Sequence, residues 1–80
     1  MTRVDARKLD FYDRQVATLI MDKYGMNDRK AIREFIESET YQMLLDTDSE
    51  VYMMSPYIIF DMWENERVTG NPRNSQYIRE

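Results

Sequence analysis

The sequence predicts an all-α domain of three to four helices, with at most one short strand, at the N-terminus or near residues 51–54. Three observations carry this reading. Apolar residues recur at helical spacing in several stretches. Helix-stopping and helix-starting residues fall between those stretches, at Gly25, Asn27 or Asp28, Ser38, Ser55-Pro56 and Gly70. Of the two segments that can read as extended, 1–8 fits a frayed terminus as well as a strand, and 51–54 is too short to build a sheet alone.

Taken in order, residues 1–8 alternate, with Val4 and Ala6 opposite Arg3, Asp5 and Arg7. They fit a short strand or a frayed lead into the first helix, and fraying is expected. A helix is predicted from about Asp10 to Tyr24, because Tyr12, Val16, Leu19, Ile20 and Tyr24 form one stripe. Gly25 supplies the left-handed conformation that ends it, and Asn27 or Asp28 caps the next. That second helix is predicted over 28–37, with Ile32, Phe35 and Ile36 inward and Arg29, Lys30 and Arg33 outward. Ser38-Glu39-Thr40 restarts the chain as a third helix to about residue 46, and its Tyr41, Leu44, Leu45 stripe is displaced from the previous one. A turn at 46–50 leads to Val51–Met54, read as briefly extended. Ser55-Pro56 then starts a helix to Thr69, with a hydroxyl cap and a proline whose missing N–H costs nothing at the first position. Ile58, Ile59, Phe60, Met62 and Trp63 cover more than half of its circumference. Asn71 to Ser75 is loop chemistry, Tyr77-Ile78 is expected to dock back, and 74–80 to fray.

The chain has 80 residues, read as a single domain over 1–80 with no repeat and no linker. A domain this small buries only about 60% of its unfolded surface, so it needs help from a homodimer or another partner. Its charge is polarised beneath a net −4. Residues 1–33 hold eight basic and five acidic groups, residues 34–66 nine acidic and no basic ones, and residues 67–80 three Arg and one Glu. The middle segment also holds the only Trp and four of the seven Met. Acidity combined with large apolar side chains marks it both as core and as a surface for a basic partner.

Cysteine and histidine are absent, which removes disulfides, thiolate nucleophiles and the commonest general base and transition-metal ligands. Asp46-x-Asp48-x-Glu50 opens like a calcium loop, but Val51 stands where glycine is needed and Tyr57 where a bidentate glutamate is needed. The carboxylate pairs Asp46/Asp48 and Asp61/Glu64 fall on a turn and a helix surface with nothing to exclude water. A non-enzyme without cofactor or metal is therefore expected. No apolar run approaches the roughly 20 residues of a membrane span. The opening MTRVDARKLD carries charges where a signal peptide needs its apolar segment, so a cytoplasmic location is expected.

The residues Phe35, Ser38, Thr40-Tyr41, Leu44, Asp46, Tyr52, Ser55-Pro56, Asp61 and Glu66 resemble, in identity and spacing, a family of small bacterial proteins from toxin–antitoxin loci. The resemblance covers residues 35–66 and implies an antitoxin-like protein that neutralises a toxin by binding it. Residues 3–45, with a basic start, a helix, a Gly25-Met26-Asn27 turn and a helix reading AIREFI, are similar to ribbon-helix-helix antitoxins. In that family paired strands of a dimer enter the major groove, which here would make Arg3, Asp5 and Arg7 the readers.

Two sets of candidate residues follow. For protein binding they are Asp46, Asp48, Glu50, Tyr57, Phe60, Asp61, Trp63 and Glu64, although Phe60 and Trp63 are expected to be substantially buried and Trp63 reads as core or interface. For DNA binding, the alternative, they are Arg3, Arg7, Lys8, Arg29, Lys30 and Arg33, which read otherwise as solvated helix faces.

Overall fold

The computed structural model describes residues 4–75, and they form four α-helices and no strand. Helix α1 runs Ala6–Tyr24, α2 Asp28–Ile36, α3 Glu39–Leu45 and α4 Pro56–Thr69. Short 3-10 turns at Thr47–Ser49 and Val51–Met53 join α3 to α4, and a third at Pro72–Asn74 follows α4. The radius of gyration is 11.7 Å.

Local chemistry sets each boundary. The Asn27 side chain accepts from the Lys30 amide at 2.8 Å, Ser38 from Tyr41 at 3.1 Å, and Ser55 from Ile58 at 3.4 Å. Gly25 and Gly70 end α1 and α4 in left-handed conformations, φ 69° and 81°, and their N–H groups donate back to Met21 and Glu66. The break at Ser38 is real: its hydroxyl also donates to the Phe35 carbonyl, closing α2 as it opens α3.

The first helix begins four residues before the expected Asp10. Asp5 caps it, accepting from the Arg7 amide at 2.7 Å, and Val4 is buried, with its N–H donating to the Leu45 carbonyl at 3.4 Å. The stretch expected to fray is therefore tied down from Val4 onward, and that backbone bond beside Asp46 is the sole trace of strand pairing among the described residues. Residues 51–54 are likewise not extended. Glu50 adopts a left-handed conformation, φ 61°, which folds Val51–Met53 into a 3-10 turn and buries Val51. Ser75, expected to fray, is buried, while Tyr77-Ile78 lies outside the described residues.

The core joins Tyr12, Val16, Ala17 and Ile20 of α1 to Ala31 and Phe35 of α2, Leu44 of α3, Val51, and Ile59, Met62 and Trp63 of α4. Helix α2 is rotated from the expected face. Ala31 and Phe35 point inward, and Ile32 and Ile36 remain 38% and 40% exposed. The small Ala31 side chain lets α1 and α2 approach closely, which an isoleucine there would prevent.

Two polar devices lock the elements together. Glu66, on the last turns of α4, accepts from the amides of Glu39 and Thr40, both at 2.9 Å, and from the Thr40 hydroxyl at 2.8 Å. A carboxylate from another helix thus satisfies the open amides at the start of α3. The Tyr12 hydroxyl bridges the carbonyls of Tyr52 and Met54 at 2.5 and 2.8 Å, fixing α1 to the turn before α4.

Candidate functional site

The expected acidic and aromatic surface of residues 46–66 divides in two. Its C-terminal half is used internally. Trp63 is core, 2% exposed, and its indole N–H donates to the Glu34 carbonyl at 3.3 Å. Phe60 is half-buried and stacks on Trp63 with ring centroids 6.1 Å apart. Asp61 accepts from the Ser75 hydroxyl at 2.5 Å and from the Asn65 amide at 3.2 Å. Glu64 accepts from the Lys23 ammonium at 2.5 Å and the Tyr24 hydroxyl at 2.6 Å, and these bonds raise the pKa of both donors. Arg67 completes the group, its guanidinium 4.9 Å from the Trp63 ring centre and 5.3 Å from that of Tyr24. An open depression between α1 and α4, bordered by Lys23, Tyr24, Asp61, Glu64, Asn65 and Val68, is lined by these already bonded groups.

The N-terminal half differs. The Asp46 side chain accepts from the Asp48 amide at 2.9 Å and holds the turn. Asp48 and Glu50 are exposed, and neither carboxylate forms an ion pair among the described residues. Beside them in the chain, Met53 is 68% and Tyr57 71% exposed. On α1, Phe11 is 50% exposed and meets the Tyr12 ring edge-on at 5.6 Å, next to the side chain that grips the 52–54 backbone. The Lys8 ammonium lies 5.0 Å from the centre of the Tyr52 ring. Two large exposed side chains, Met53 and Tyr57, and two carboxylates without an ion pair among the described residues thus flank the α3–α4 connection, with Phe11 exposed on α1 beside the residue that grips it. Met53 and Phe11 escape sequence reasoning. Phe11 sits one position from the Tyr12–Val16 stripe, and Met53 is turned outward by the left-handed residue three places before it.

The basic residues of the alternative set fall on α1 and α2 where they are described. Arg3 lies outside the described residues. Arg7 and Lys8 belong to the first turn of α1, so among residues 4–8 there is no strand to enter a groove. Arg29, Lys30 and Arg33 are exposed on α2 and form no ion pair among the described residues.

A partly buried acid, Asp13, lies on α1. One oxygen of Asp13 is inaccessible and has no hydrogen-bond partner. Burial raises its pKa, the Tyr41 hydroxyl lowers it by donating to the carboxylate, and the nearby Asp10 charge raises it. Burial likewise pushes the Tyr41 hydroxyl up.

No group of three or more carboxylates gathers to hold a metal ion among the described residues, and none of their helices is long and apolar enough to cross a membrane. No family model matches the chain, and no curated protein or solved structure is detectably similar to it.

Proposed function

We propose that this chain is a non-enzymatic, antitoxin-like binding protein of the bacterial cytoplasm that neutralises a basic protein partner. It docks that partner on the surface formed by Asp48, Glu50, Met53, Tyr57 and Phe11. The observation that carries this reading is the placement of Met53 and Tyr57, both more than two-thirds exposed, beside carboxylates that no cation of the described fold neutralises. Exposed aromatic and methionine side chains supply the desolvated centre of an interface, and flanking charges orient the approach. The resemblance of residues 35–66 adds the kind of partner, a toxin encoded beside this chain.

Co-expression with the adjacent gene product tests the proposal. The two proteins should co-purify, and the pair should separate when Tyr57 and Met53 are replaced by serine. Retention of the complex by that double variant, or a neighbour whose activity ignores this chain, overturns it.

A further inference from the structure

Helix α2 presents a second unpartnered surface. Arg29, Ile32, Arg33 and Ile36 fall at i, i+3, i+4 and i+7, one face of the helix. Both isoleucines are more than a third exposed, and both arginines are exposed without an ion pair among the described residues. This face has the same makeup as the docking surface at the α3–α4 connection, with the opposite charge. There, Met53 and Tyr57 stand beside Asp48 and Glu50. The ion pairs of the described fold are Arg14–Asp10, Lys23–Glu64 and Arg73–Glu39, so neither set compensates the other within one molecule.

We infer that the occupant of the α2 face is a second copy of this chain, which inserts Met53 and Tyr57 between the arginines while Asp48 and Glu50 pair with them. A symmetric pairing of two α2 faces is disfavoured, because it would set Arg29 and Arg33 against their own copies. The contact is therefore head-to-tail, and a pair retains one free surface of each kind, the α2 face on one copy and the acidic patch on the other. It uses the same acidic patch as the proposed partner site but requires no foreign partner. A basic partner competes with it, so self-association covers the patch until the partner arrives. Both patches are small, which makes the contact weak, concentration-dependent and sensitive to salt.

Sedimentation velocity of the full chain tests this. The weight-average mass should climb with concentration toward the millimolar range at low salt and return to that of the monomer near ~1 M salt, where the Debye length is about 3 Å. The variants Arg29→Glu/Arg33→Glu and Asp48→Arg/Glu50→Arg should each weaken association more than about tenfold. Mixing them should restore it, because the reversed surfaces complement one another. Helicity and melting temperature of each variant, compared with the parent, establish that it folds. A parent chain that stays monomeric throughout overturns the inference, as does association that survives both reversals, or an α2 face that binds duplex DNA in a salt-dependent manner and leaves the mass unchanged. The proposed partner function fails separately, by loss of co-purification.

Discussion

Asp13 shows how one side chain can limit the stability of a small domain. Its carboxylate is partly buried with one oxygen unpartnered, and burial outweighs the help it receives from Tyr41. Its folded-state pKa therefore lies above the unfolded value near 3.8, so the folded chain holds that proton more tightly than the unfolded chain does. The stability this proton confers is fully present below the unfolded value and disappears as the pH rises through the raised one. Asp13→Asn should consequently melt higher than the parent at neutral pH, with the gap closing as acid protonates the parent. A gap independent of pH would show that the carboxylate charge is not the cause. Trp63 works in the opposite direction. It fills the centre of the core, and Trp63→Ala should cost about 3–5 kcal/mol. Domains of this size hold only about 4–12 kcal/mol in total, so melting should fall by more than about 12 °C. An unchanged melting temperature would mean that Trp63 is not packed as described.

At the scale of elements, the shortest helix is the most dependent. Helix α3 has seven residues, too few to persist alone, and its first amides are satisfied by Glu66 from α4. Glu66→Ala should cost roughly 1–3 kcal/mol and speed hydrogen exchange at the Glu39 and Thr40 amides, whereas Glu66→Gln, which retains an acceptor, should cost less. Slow exchange at both amides in Glu66→Ala would rule out the clamp. The connection to α4 carries a cost of its own, since Glu50 occupies a conformation that a side chain resists. Glu50→Gly should raise stability by about 0.5–1 kcal/mol in chemical denaturation, the relief of strain exceeding the added freedom of the unfolded chain. These two features mark the limit of what the sequence reveals. Helix ends were readable because caps are local: Ser55-Pro56 and Gly70 bound α4 at the positions expected, and Ser38 separates α2 from α3. Facing was less readable. Ile32, Phe35 and Ile36 look like core by period, yet of these Phe35 is buried and Ala31 takes the remaining place, because close approach of α1 favours a small residue. The roles of Glu64 and Glu66 were hidden for the same reason. Their partners Lys23, Tyr24, Glu39 and Thr40 lie 26 to 41 positions away in the chain, and no local pattern connects them.

Across the whole molecule, the fold redistributes a charge pattern that the sequence presents as blocks. The −9 of residues 34–66 is not one acidic face: Glu64 is paired with Lys23, Glu39 with Arg73, and Glu66 is enclosed by amides and a hydroxyl. Among the carboxylates without an ion pair, Asp48 and Glu50 stand beside the exposed Met53 and Tyr57, the charges to act at a distance and the large side chains in contact. Long-range attraction governs how often partners meet, while desolvated apolar contact governs how long they stay. The two pairs should therefore separate kinetically against the basic partner proposed above. Asp48→Lys/Glu50→Lys should slow association and flatten its dependence on salt, with little change in dissociation. Tyr57→Ala should leave association nearly unchanged and speed dissociation by roughly 30-fold, corresponding to about 2 kcal/mol for an interface anchor. Both sites lie outside the core, so melting temperature should move little in either variant. Surface plasmon resonance on the co-purified pair reads both rates. If the lysine variant instead dissociates faster at an unchanged association rate, the carboxylates belong to the contact itself and do not act by steering. If Tyr57→Ala leaves both rates unchanged, the docking surface lies elsewhere on the molecule.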